Sequence, residues 1–352
     1  MPFWKNLPKP FFAMAPMADV TDPAFRKLVA RCGKPDVSWT EFVSADGLYH
    51  TRQSRRQKSG PRPQASGKIP DGENPLMRDL AFSEEERPIV AQIFSAKPEM
   101  IAYGAQLAKE LGFDGVDLNM GCPDRSIEKQ GAGAALIKSP KLAVELIEAA
   151  KSSGLPVSVK TRIGYNTDVL DEWLTAIFEA RPAAVTLHLR TRKQMSLVPA
   201  DWQRMKKAVE LRDRLAPGAL LIGNGDVMST EEGECLALDT GCDGIMIGRG
   251  MFGNPWVFEG LRKSLIGSGF TKSEHGLEEK LATLIELAHD FEQLSPPKHF
   301  AILKKHIKAF VTGFAGAADL RAKLMEANSA AELEIAIKRS PEGLLVRRIE
   351  RA

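Results

Sequence analysis

The chain has 352 residues, 43% hydrophobic and 26% charged, with a net charge of +3; such a composition supports a sizeable buried core and excludes wholesale disorder. No apolar run approaches the roughly 20 residues that a membrane helix needs, and the opening MPFWKNLPKPFF lacks an apolar stretch with a small-residue cleavage site, so neither a membrane protein nor a secreted one is expected. Cys32, Cys122, Cys235 and Cys242 are scattered without CxxC or Cys/His spacing, which argues against a disulfide framework and a metal site and for a reducing, cytoplasmic compartment.

From Phe11 to about residue 260, short apolar runs rich in β-branched or small residues alternate with amphipathic stretches. FFAMAP, DVSWTEF, PIVAQIF, GVDLNM, PVSVKTR, AAVTLHL, ALLIGNG and DGIMIGR read as strands. DPAFRKLVARC, MIAYGAQLAKELG, KLAVELIEAAKSSG, VLDEWLTAIFEARP and TEEGECLALDTG carry apolar residues near i, i+3, i+4 and i+7 and read as helices. Strands separated by helices imply a parallel sheet, and about eight such units close into an α/β (β/α)8 TIM barrel. A doubly wound open sheet would carry GxGxxG after its first strand, where APMADVTD stands instead.

Two segments break the rhythm. Residues 50–87 open with Arg52, Arg55, Arg56, Lys58, Arg62 and Lys68 and no acid before Asp71. With Gly and Pro among them, this basic insertion is expected as a long exposed loop, followed by a short helix in MRDLAFSEEERP that leads into the third strand. After about Gly269 the strands stop, and from Leu277 the chain is helical with breaks near SPPKH and TGFAGAAD. The expected organisation is a barrel over residues 1–270 and a small all-helical domain over 271–352.

Chemistry in such a barrel sits at the carboxyl ends of the strands, where the loops converge. The fourth strand ends DLNMGCPD, setting Asn119 and Cys122 in a turn shaped by Gly121 and Pro123. A lone cysteine is usually a tolerated loop residue; at a strand tip beside Gly, Pro and Asn it points to a nucleophile or a proton donor. No partner histidine nearby in sequence chooses between the two. The fifth strand ends in Lys160, Thr161 and Arg162, and a lysine on the inner face costs desolvation unless an anionic or electron-rich ligand offsets it. The sixth ends in His188, followed by Arg190 and Arg192, and His188 is expected to touch the same ligand. The seventh ends Asn224-Gly225-Asp226 and the eighth Gly248-Arg249-Gly250. Loops after strands seven and eight are the usual phosphate site, where glycines let backbone N–H groups approach the anion. Because the chain as a whole is nearly neutral, any nucleic acid must be held by local patches.

These motifs resemble the tRNA-dihydrouridine synthase family nearly end to end. AMAPMADVTDPAFR is similar to its opening signature and DLNMGCPDRSIEKQGAGAALIK to its active-cysteine segment. VKTRIGYN, LHLRTRKQ, GNGDV and GIMIGRGMFGNPWVF follow in family order, and KKHIKAFVTGFAGAADLRAKLMEANSAAELEIAIK resembles its helical RNA-binding domain. The resemblance implies FMN over the barrel mouth, touched by Pro16, Met17, Ala18 and Gln92, with Lys160 beside the electron-rich edge of its ring and His188 nearby. It implies that Asn224, Gly225, Asp226, Gly248 and Arg249 hold the ribityl chain and phosphate. NADPH would reduce the flavin, hydride would pass to C6 of a flipped-out uracil in tRNA, and Cys122 would supply the proton to C5. Asn119 would orient the base, and Arg162 and Arg190 would hold it or its phosphate. Among the basic residues of the tail (Lys298, Lys304, Lys305, His306, Lys308, Arg321 and Lys323), Lys304, Lys305 and Arg321 are expected to meet the RNA backbone. The sequence departs from the family at Leu189, where glycine usually follows the histidine, so the loop beyond it is expected to differ. A flavin reductase of a free pyrimidine or small enone is the alternative activity. A monomer is expected, since no dimer stripe is visible.

Overall fold

The computed structural model describes residues 3–59, 74–261 and 275–342. Its strands are β1 (Phe11–Met14), β2 (Ser38–Trp39), β3 (Val43–Ser44), β4 (Ile89–Phe94), β5 (Gly115–Met120), β6 (Val157–Gly164), β7 (Ala184–Thr191), β8 (Leu220–Asn224) and β9 (Gly244–Ile247), in one parallel sheet. β2 and β3 both pair with β4 and form two pieces of one stave. β1 lies against β9 on one side and bridges from Ala13 to Val37, the residue before β2, on the other. Eight staves therefore close into a (β/α)8 barrel.

Period-two alternation sorts the side chains. Phe11, Ala13 and Ala15 join Trp39, Val90, Ile222 and Met246 in a cluster that fills the barrel, whereas Phe12 and Met14 join the larger cluster between staves and helices. The floor is stopped by Trp4, whose ring lies 5.9 Å from Trp39 and 6.2 Å from Phe11. Gly244, opposite Phe11 in the register, is obligatory: a Cβ there would meet the Phe11 ring at 2.6 Å.

The described helices are α1 (Pro23–Cys32), α2 (Ala45–Ser59), α3 (Pro75–Asp79), α4 (Pro98–Glu110), α5 (Arg125–Glu128), α6 (Pro140–Lys151), α7 (Leu170–Glu179), α8 (Gln203–Leu215), α9 (Thr230–Thr240), α10 (Leu277–Glu292), α11 (Lys304–Phe310), α12 (Ala317–Leu324) and α13 (Ala330–Arg339). Their ends follow side-chain chemistry: Asp22 accepts the Phe25 N–H at 3.0 Å with Pro23 at the first helical position, and Gly241 ends α9 at φ 76°. Among the described residues no helix is long and apolar enough to cross a membrane.

The basic insertion differs from its expectation. Its first part continues α2 to Ser59 rather than forming a loop, because from Leu48 to Ser59 there is neither glycine nor proline and Arg, Gln and Lys favour helix. Arg62, Lys68 and the side chains of Arg55, Arg56 and Lys58 lie outside the described residues. The short helix before the third stave is α3, followed by a single turn at Glu84–Glu86. The expected domain boundary at 270/271 also lies outside the described residues.

The C-terminal helices dock on the barrel through buried polar side chains, and two of the basic residues of the tail are among them. Lys298 is 4% exposed and its Nζ lies 2.5 Å from Glu41 and 3.4 Å from Asp79. Glu41 in turn accepts the Asp19 N–H in the loop after β1. His306 is buried against Phe25, its Nε2 3.2 Å from the Val20 carbonyl oxygen. Both side chains fasten the tail to that loop, because an unpaired ammonium or imidazole at this interface would be costly.

Candidate active site

The register lays a strip of polar side chains across the upper staves. Parallel pairing sets Asp117 beside Gln92 and Ser158, Asn119 beside Lys160, Arg162 beside His188, and His188 beside Asn224. These staves are otherwise apolar, so each polar residue on the inner face needs a partner there. Above the strip opens a cavity of about 280 Å³.

Pro16, Met17, Gln92, Asn119, Cys122, Lys160, Arg162, His188, Arg190, Asn224, Gly225, Asp226, Gly248 and Arg249 all line it. Ala18 does not; it is exposed beyond the turn that Met17 and Thr21 close by hydrogen bonds, and Ala15 lines the wall instead. Leu189 is fully buried with Met205 and Ala208 on the helix side of the stave, so it leaves the cavity unobstructed. Lys304, Lys305 and Arg321 stand outside the cavity. Lys305 reaches Asp19 at 3.4 Å, which brings α11 to the rim, whereas Arg321 donates to the Val311 carbonyl at 2.8 Å and holds the turn before α12.

The electrostatics of the wall are cationic. Burial, with Arg162 beside it, lowers the Lys160 ammonium to about 8, and its Nζ donates to Asn224 Oδ1 at 3.1 Å. Arg162 is lowered by burial to about 10 and donates to the carbonyls of Gly121 (2.8 Å), Thr191 (3.3 Å) and Met195 (3.3 Å), tying two loops to β6. Burial and the surrounding cations push His188 well below its usual range, so the ring is neutral near pH 7. Arg190 can only donate, and its Nη1 lies 3.2 Å from His188 Nε2. That nitrogen is therefore the acceptor, and the ring proton sits on Nδ1. Arg190 and Arg249 both pair with Asp226, which holds a left-handed φ of 59°. Asp226 thus aims two guanidinium groups rather than meeting an anion itself.

Cys122 is held from both sides. Its N–H donates to Asn119 Oδ1 at 2.9 Å, and its carbonyl accepts the Ala134 N–H at 2.9 Å. Gly133 permits this approach: φ is +61°, and a Cβ would meet the Cys122 carbonyl oxygen at 2.7 Å. Burial raises the thiol above its ordinary value, so it is a protonated S–H at neutral pH. Such a group can act as an acid and is not a ready thiolate nucleophile.

Phe42, Ser196, Met228 and Met246 also line the cavity without having been expected. Met246 was open to inference from strand alternation; Phe42 sits in the break between β2 and β3, and Ser196 in the loop after β7, where no periodicity marks a facing residue.

A barrel with a net cationic cavity and a protonated thiol at its strand tips is suited to holding an anionic ligand beside an acid. A family model described as dihydrouridine synthase (Dus) matches residues 13–342. A probable tRNA-dihydrouridine synthase of Staphylococcus epidermidis is 40% identical over 333 residues, covering 94% of this chain and 93% of the relative. Probable tRNA-dihydrouridine synthase 2 of Bacillus subtilis is 41% identical over 335 residues, with 94% of each covered. The chain belongs to the dihydrouridine synthase family and is an oxidoreductase. Among solved structures, 2-naphthoyl-CoA reductase with 2-naphthoyl-CoA matches 72% of this chain and 50% of its own at a TM-score of 0.51. At 10% identity that likeness speaks for the barrel alone.

Proposed function

We propose that this protein reduces the C5–C6 double bond of uridines in tRNA, with FMN as its bound cofactor and NADPH as the reductant. The observation that carries the reading is the Cys122 thiol, kept protonated by burial on the wall of a cavity to which Lys160, Arg162, Arg190 and Arg249 give an excess of positive charge over Asp226. The donor set fits a phosphorylated flavin. Lys160 and Gln92 offer N–H groups to an electron-rich ring edge, the apolar Ala15, Met17 and Met246 offer a face for it, and Arg249 with the Gly248 turn suits a phosphate. Bound there, a flavin would supply the hydride equivalent for C6. Negative charge then builds across the ring towards C5, and Cys122 quenches it by donating its proton. Asn119 fixes the loop that carries the thiol, and Arg162 and Arg190 present positive charge to the base or its phosphate. Lys304, Lys305 and the loop they adjoin are the RNA-facing rim. The base must leave its stack to enter, at a cost of a few kcal/mol, which favours loop nucleotides.

Purified protein supplied with NADPH should form dihydrouridine in unmodified tRNA and none in free uridine. Reduction of free uracil or uridine with tRNA left untouched would instead establish the reductase of a small substrate.

A further inference from the structure

The loop after β7 holds an apolar tip at the mouth of the cavity. Among the described residues six large apolar side chains are exposed, and four of them, Met195, Leu197, Val198 and Met228, belong to the loops after β7 and β8. The other two, Leu238 and Ile335, sit singly on α9 and α13, as isolated surface apolar residues do in most proteins. Ser196 and Met228 line the cavity, and Leu197, the neighbour of Ser196, is 85% exposed beside it.

A free loop would fold such side chains against the surface, but this backbone is fastened. Arg162 Nη1 donates to the Met195 carbonyl at 3.3 Å and Arg190 Nε to the Val198 carbonyl at 2.6 Å. Two arginines of the cavity wall therefore pin the chain on either side of Ser196 and Leu197. The Leu197 N–H donates to the Gln194 carbonyl at 3.0 Å, and Gln194 Oε1 accepts the Thr191 N–H at 2.7 Å across the base of the loop. Met195 holds a left-handed φ of 54°, a conformation that is costly for a residue with a β-carbon and persists where its surroundings impose it.

A uracil that enters the cavity leaves a gap between the bases on either side of it, and lost stacking is the main cost of its entry. An apolar side chain presented at the mouth can fill that gap and regain buried area, as leucine and methionine wedges do in bent or unstacked nucleic acids. Lys193, exposed on the same loop, and Arg249, half-exposed on the cavity wall, bring positive charge to the phosphates alongside. We propose that Leu197 is a wedge that enters the RNA stack where the target uridine has left it, with Met195 and Val198 at its flanks. The proposal rests on the substrate being a uridine within tRNA. Since the backbone is pinned before RNA arrives, little ordering is left to be done on binding.

The test is Leu197→Ala in the full-length flavin-loaded protein, with the flavin reduced beforehand and dihydrouridine followed over a single turnover of unmodified tRNA. Truncating an exposed side chain should leave melting temperature, flavin content and NADPH oxidation without RNA close to the parent, the latter two within about twofold. The rate at saturating tRNA should fall about 10- to 30-fold, because less of the bound RNA holds its base in the cavity. Affinity for tRNA, set mainly by phosphate contacts, should change less than the rate, and the loss of rate should be equal at about 50 and 200 mM salt, since the side chain removed carries no charge. Leu197→Met, apolar and of similar volume, should bring the rate back to within about threefold of the parent. A Leu197→Ala rate within about twofold of the parent would overturn the proposal. So would a loss matched by lost flavin, or one that follows dissociation of a dimer in sedimentation, which would make the loop an interface between copies. A parent protein that forms no dihydrouridine in tRNA would instead defeat the functional reading itself, a failure visible before any variant is made.

Discussion

At Lys160, burial and the adjacent Arg162 lower the ammonium from 10.5 in the unfolded chain to about 8. Below pH 8 the group is charged in both states and the cost of burying it is fully present. Between 8 and 10.5 the unfolded chain holds the extra proton, so stability without ligand rises with pH across that window. Lys160→Met should therefore raise the melting temperature of the flavin-free protein at pH 7, by about 2–4 °C for each kcal/mol relieved, while weakening flavin binding. Flavin affinity of the parent should also fall as pH passes 8, and the variant should lose that dependence; equal affinity and equal slope in the two would contradict a ligand-facing ammonium. Lys160, like Asn224, was legible because a polar residue interrupts an apolar strand at its tip, and Cys122 because Asn, Gly and Pro surround it just beyond one. Asp117 was equally visible by alternation with Asn119, yet its hydrogen bonds were not, since its partners Gln92 and Ser158 lie on other staves and nothing in spacing pairs them.

Elements were legible where periodicity is long and strong. All eight staves follow from alternation and five of the helices between them from apolar spacing; α8 was not singled out, and the loop expected at residues 50–59 arose from weighing charge over the absence of helix breakers. Interfaces between distant elements were not legible. Lys298 reads as one more basic tail residue, but it lies between Glu41 and Asp79, with Asp22 close enough to act on it. Burial works against its charge, and these acids more than restore it. Removing one member of a buried pair strands the other, so Lys298→Met should cost about 3–5 kcal/mol in denaturant unfolding. Glu41 holds the Asp19 N–H just beyond Met17, so flavin release should accelerate as well. A cost below about 1 kcal/mol, the range of exposed pairs, would show that this contact does not fasten the tail. Deleting the chain after about residue 275 should likewise disturb flavin retention as well as tRNA binding.

Across the whole molecule, acids and bases nearly cancel, with 48 Lys and Arg against 45 Asp and Glu. Acids such as Glu148 and Glu210 pair with lysines on the outer helices, while Lys160, Arg162, Arg190 and Arg249 converge on one opening. The proposed RNA contact is thus a local field on a balanced chain, and tRNA affinity should fall steeply with added salt.

In the proposed function this opening joins two half-reactions, reduction of a bound flavin and protonation of a reduced uracil, with Cys122 serving only the second. Cys122→Ala assayed for both halves tests it most directly. Flavin content and NADPH oxidation should stay close to the parent, while dihydrouridine formation in unmodified tRNA falls by about 10²- to 10⁴-fold. Undiminished dihydrouridine, or collapse of both halves together, would contradict the account.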